Sequence, residues 1–116
     1  MFNYIMLESS KIKYVEIVPS DQIPAGGRLF IEVDGYSIVL INLAGKLFAI
    51  GDVCTHDNGP LGDGEIENYE IICPRHGAHF DLRNGHAVRG PAVVAAPWYP
   101  VRVVADFLEV GIPKED

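Results

Sequence analysis

Glycine or proline interrupts this chain roughly every ten residues, and between the interruptions lie short runs rich in Val, Ile, Tyr and Phe. No segment of ten or more residues carries a clear helical period, so the pattern predicts an all-β fold with little helix. The readable strands are Lys13 to Val18, Arg28 to Val33, Tyr36 to Asn42, Lys46 to Gly51 and Tyr69 to Ile72. A small hairpin over "HFDLRNGHAV" turns at Asn84-Gly85, and Val101 to Val104 and Phe107 to Val110 close the series. Asp34-Gly35 suits a two-residue hairpin turn with positive φ, and Ala44-Gly45 marks a second turn.

With 116 residues the chain can build one modest core, so a single domain over 1–116 is expected. A net charge of -7 argues against nucleic acid or an anionic membrane as partner, because phosphate binding requires Lys and Arg to displace counterions. An acidic surface keeps a protein soluble and can steer a partner with a basic patch. The opening "MFNYIMLESSK" has no basic leader, long apolar core or small-residue cleavage site, and no apolar run approaches the roughly 18 residues of a membrane span. A cytoplasmic protein is therefore expected, and there two cysteines suit metal ligation or free thiols better than a disulfide.

Those cysteines each sit where a strand runs out into a loop, and each has a histidine close by: Cys54 and His56 in "VCTHDNG", Cys73 and His76 in "CPRHG". Sixteen residues separate the two pairs, and Gly51, Gly59, Pro60, Pro74 and Gly77 surround them. Glycine-rich loops let backbone amides approach a bulky inorganic group. A Cys54–Cys73 disulfide would leave both histidines idle. A Cys2His2 zinc site would use all four, yet one residue between Cys54 and His56 is tighter than the two to four usual between paired zinc ligands. In a two-iron, two-sulfide cluster, one iron takes both cysteines and the other both histidines. The two ligands of a loop then serve different irons, and the tight spacing is natural.

"CTH", sixteen residues and "CPRH" together resemble the Rieske pattern C-x-H, spacer, C-x-x-H, and the likeness extends from about Tyr14 to Val110. The resemblance implies an antiparallel β-sandwich or barrel with a cluster-binding subdomain of roughly residues 52–92 inserted in it. It also implies one [2Fe-2S] cluster, with Cys54 and Cys73 on the buried iron and His56 and His76 on the outer one. High-potential members carry an extra cysteine in each loop, and Gly59 and Arg75 stand in those places here. Their Ser and Tyr hydroxyls, which donate to cluster and ligand sulfur, are replaced by Ala78 and Phe80. A potential at the low end of the Rieske range, roughly -150 mV, is therefore expected.

The chain lacks the length and the residues for the mononuclear iron domain of an oxygenase, so it resembles a free-standing Rieske ferredoxin of an aromatic-ring dioxygenase system. The implied role is a monomeric, non-catalytic carrier of single electrons from a flavin or NAD(P)H-linked ferredoxin reductase to a terminal oxygenase. Alternatives are a small Rieske subunit of another redox enzyme, such as a nitrite reductase, or a zinc-binding interaction module. Residues 89–97, "RGPAVVAAP", resemble the family's cluster-covering loop, and Pro60, Leu61, Pro91 and Ala92 would form an apolar docking rim. His79 reads as a surface histidine or one just behind the ligands, and His86 has less claim to a role. Arg75 could pair with Asp57 or Asp63, and Trp98 and Tyr99 read as core or rim aromatics.

Overall fold

The hairpin turns carry the fold. In the computed structural model, which describes residues 11–55, 59–75, 77–91 and 94–114, Asp34 and Gly35 take φ of 49° and 85°, and Ala44 and Gly45 take 53° and 94°. Two consecutive positive φ values match the right-handed twist of the strands they join. Asn68-Tyr69 and Ala105-Asp106 make the same kind of turn without glycine.

The strands, in chain order, are β1 (Ile12–Pro19), β2 (Arg28–Val33), β3 (Tyr36–Leu43), β4 (Lys46–Gly51), β5 (Ile66–Glu67), β6 (Glu70–Ile72), β7 (His79–Asp81), β8 (Ala87–Arg89), β9 (Trp98–Tyr99), β10 (Val101–Val104) and β11 (Phe107–Pro113). They form three antiparallel sheets ordered β1-β11-β10, β2-β3-β4-β9 and β5-β6-β7-β8. The expected all-β class is what the structure has. Two short strands, β5 and β9, lie outside the expected set, and Trp98 and Tyr99 thus pair with Ile50 and Ala49 as strand residues.

The centre is β3, whose run Ile38–Ile41 is buried on both faces. Side chains alternate across a strand, so Ile38 and Leu40 enter one core with Ala49, Tyr99, Leu108, Val110 and Ile112. Val39 and Ile41 enter a second core with Ile50, Ile71, Phe80 and Leu82. The first core binds the β2-β3-β4-β9 sheet to the sheet that joins the chain ends, and the second binds it to β5–β8. Each large aliphatic side chain buried in this way contributes about 1.5–3 kcal/mol. Among the described residues no helix is long and apolar enough to cross a membrane.

The β7–β8 turn is held electrostatically. Asp81 Oδ1 accepts from the Arg83 backbone N–H at 2.8 Å and from Nε at 3.0 Å, while Oδ2 accepts from Nη2 at 2.9 Å. The guanidinium lies 4.8 Å from the centre of the Tyr69 ring. The side-chain bond to Arg83 holds the Asp81 carboxyl below its ordinary 3.8. A depressed folded-state value stabilises the protein fully above the ordinary value and is lost as pH falls through the depressed one. Asp81→Asn is therefore expected to lower the unfolding temperature near neutrality, with the gap to the wild type closing in acid below 3.8. Thermal unfolding of both proteins across that range checks it.

Candidate metal centre

Cys54 and Cys73 lie at the mouths of two loops that close in the same way. At the end of β4, the Gly51 N–H donates to the Pro97 carbonyl at 2.8 Å and the Asp52 N–H to the Ser37 carbonyl at 3.0 Å, fixing the chain's exit from the sheet. Two residues later the Cys54 N–H donates to the Gly59 carbonyl at 2.7 Å. Beyond β6, the Cys73 N–H donates to the Ala78 carbonyl, also at 2.7 Å. Both loops thus tie a cysteine amide to the carbonyl five residues on. Gly77, whose N–H returns to the Cys73 carbonyl at 3.0 Å, does so at φ 77°, a conformation that favours glycine.

The two cysteines are 0% and 1% exposed and share one buried core with Leu61, Ile71, Ala78, Phe80 and Ala96. No disulfide joins them. Buried sulfur donors on glycine-bearing loops, backed by an apolar core, suit a soft inorganic group such as an iron–sulfur cluster. His56 and His76, the other two expected ligands, lie outside the described residues, as do Asp57 and Ala92. The structure therefore brings together the cysteine half of the expected set.

Several neighbours take places that composition alone does not reveal. Leu61 is 0% exposed and belongs to the core beside the cysteines, so it cannot form a docking rim. Pro60 and Pro91 are exposed. His79 is buried on β7, with Nδ1 2.8 Å from Glu70 Oε1, so it is no surface histidine. The Thr55 hydroxyl donates to the Val94 carbonyl at 2.5 Å and ties the first loop to the 89–97 segment. Ala78 and Phe80 are fully buried in the core that holds both cysteines, and neither side chain has a donor.

Glycine in "LGDGE" is a signal that sequence reading passed over. A Cβ on Gly64 would overlap the Ile72 carbonyl oxygen, and the Ile72 N–H donates to Glu65 at 2.9 Å. The segment thus runs hard against the end of β6, where it enters Cys73. Between them lies a cavity of about 390 Å³ lined by Asp63, Gly64, Glu65, Ile72, Cys73, Pro74 and Gly77. Its acidic walls add negative charge next to the second loop.

The pattern of the Rieske [2Fe-2S] domain family matches residues 13–104. The ferredoxin component of the naphthalene 1,2-dioxygenase system of Pseudomonas putida is 33% identical over 92 residues, 79% of this chain and 88% of its own. The 3-phenylpropionate/cinnamic acid dioxygenase ferredoxin subunit of Escherichia coli K12 is 33% identical over 97 residues, 83% and 91% of the two chains. Among solved structures, the ferredoxin of carbazole 1,9a-dioxygenase from Nocardioides aromaticivorans IC177 superposes with a TM-score of 0.79 at 29% identity, covering 88% of this chain and 99% of its own.

The close approach at Gly64 makes a direct prediction. Gly64→Ala must push backbone away from backbone, and overpacking of this kind costs about 1–3 kcal/mol. A urea melt of the purified protein should show that loss. The same substitution at Gly35, where a Cβ meets nothing within 4 Å, should cost less, since there the left-handed φ is the only penalty.

Proposed function

The chain belongs to the Rieske [2Fe-2S] domain family, and on that premise we propose that it is a low-potential Rieske ferredoxin, a one-electron carrier and not a catalyst. It takes electrons from a flavin or NAD(P)H-linked ferredoxin reductase and delivers them to a terminal non-haem iron oxygenase. Cys54 and Cys73 would hold one iron of a [2Fe-2S] cluster, and His56 and His76 the other. The bound cluster supplies reversible one-electron chemistry.

The observation that carries this reading is the pair of buried thiols, each beneath a loop closed by an amide-to-carbonyl bond across five residues, in one core with Ala78 and Phe80. That arrangement supports the low potential as well. Bonds donated to cluster or ligand sulfur stabilise the more negative reduced state, and an alanine methyl and a phenyl ring donate none. Two neutral imidazoles still leave less negative charge than two more thiolates would. The potential therefore stays above the roughly -400 mV of all-cysteine plant-type ferredoxins.

The chain reads as one domain over 1–116 with the cluster-binding part at about 52–92, a division supported by β5 to β8, which all fall inside those limits. Its partners meet it transiently, in the cytoplasm, and it acts as a monomer. A redox titration of anaerobically purified protein, followed by paramagnetic resonance, should develop the rhombic signal of a reduced mixed-ligand cluster near or below roughly -100 mV. Ala78→Ser and Phe80→Tyr should each move the midpoint upward. Absence of the signal at every potential, with zinc found by metal analysis, would sink the reading.

A further inference from the structure

We propose that Asp52 is a positioning residue for the cluster, its carboxylate clamping the far end of the first ligand loop so that Leu61 and Gly62 stay seated against the core that holds Cys54. The role rests on the ferredoxin reading above, and the geometry that suggests it lies wholly in described residues. Asp52 stands between the end of β4 and Cys54, with its own N–H bonded to the Ser37 carbonyl at 3.0 Å. Its Oδ1 accepts from the Leu61 N–H at 3.0 Å and from the Gly62 N–H at 2.6 Å. The bond from the Cys54 N–H to the Gly59 carbonyl lies inside that bracket. The first loop is thus closed twice, by main chain at 54–59 and by a carboxylate at 52–62.

A second element grips the same point. The Gly62 carbonyl accepts from Arg28 Nη1, and a Cβ on Gly62 would lie 2.5 Å from Phe30 Cε2 and 3.0 Å from Asp52 Oδ1. Arg28 and Phe30 are two residues apart on β2, so they share a face of that strand. Gly62 is therefore held from three sides: its N–H by Asp52, its carbonyl by Arg28 and its α-carbon beneath Phe30. Leu61, next to it, is fully buried in the core that contains both cysteines. Movement of 61–62 would carry Leu61 out of contact with that core, so the clamp acts on the cluster site through the loop and touches no ligand itself.

The charge matters because a carboxylate accepting backbone N–H groups makes stronger bonds than a neutral acceptor, and one oxygen here serves two donors. An asparagine keeps an oxygen in the same place with weaker bonds, and an alanine keeps none. Asp52→Ala is expected to release iron to a chelator about tenfold faster than the wild type. It should also broaden the rhombic signal of the reduced protein and quicken hydrogen exchange over residues 59–65, read by mass spectrometry on the protein as purified. Asp52→Asn should restore most of all three. Arg28→Met should act in the same direction, and the double variant should fall short of the sum, as partners in one network do.

If Asp52 served the fold alone, Asp52→Ala and Asp52→Asn would lower the unfolding temperature alike and leave signal shape and iron release unchanged. That result overturns the proposal. Should Asp52→Ala fail to fold, Asp52→Asn with Arg28→Met decides the matter, and wild-type iron release in both overturns it. A wild-type protein that never shows the rhombic signal overturns the ferredoxin reading and this role with it. A normal wild-type signal with an unaltered Asp52→Ala overturns only the role of Asp52.

Discussion

The structure depends on β3 being buried on both faces. Four consecutive aliphatic residues, Ile38–Ile41, leave no polar side for water, so the strand must lie between two layers. One layer is the sheet that joins the chain ends, and the other is the group of short strands that presents the cysteines. Val39 and Ile41 touch the same core as Cys54 and Cys73, while Ile38 and Leu40 anchor the opposite side. The two cysteines are thus seated on a wall that is itself fixed from behind, and a short cysteine-bearing loop needs little structure of its own.

The loops themselves are held by main-chain bonds and by single side chains reaching in from elsewhere. Cys54 to Gly59 and Cys73 to Ala78 are each closed by one bond from the cysteine N–H to the carbonyl five residues on. Thr55 reaches the Val94 carbonyl, Asp52 reaches the amides of residues 61 and 62, and Arg28 reaches the Gly62 carbonyl. High-potential relatives are expected to join their loops by a disulfide, and Gly59 and Arg75 occupy those places here. Hydrogen bonds to backbone tie the described ends of this chain's first loop, at a net contribution of roughly 0.5–1.5 kcal/mol each and more where a charge takes part.

Strand positions were legible wherever glycine announced the turn. Asp34-Gly35 and Ala44-Gly45 carry their conformation in their composition, and the strands on either side stand within a residue of where the pattern puts them. Asn68-Tyr69 makes the same kind of turn with a tyrosine at φ 68°. Nothing local favours that, so β5 was invisible: two residues long, it exists because β6 is there to pair with it. Spacing singled out Cys54 and Cys73 as a pair, and the fold buries both in one core. Leu61 and His79 were not, because an apolar residue beside a proline and a histidine on a short hairpin look like surface until the fold closes over them. Asp52 left no mark either, since its partners are amides nine and ten residues on.

Ala78 and Phe80 join the two concerns of core and redox chemistry. Both are fully buried against the cysteines, so each is chosen under two constraints at once. A hydroxyl at either position stabilises the protein only if it finds an acceptor, since a buried unpaired one costs about 1–3 kcal/mol. Apolar side chains avoid that cost. The same choice withholds donors from sulfur and leaves the reduced state less stabilised. On the proposed reading, the donor-free side chains of residues 78 and 80 serve the packed core and the low potential together, and a hydroxyl placed at either position bears on both.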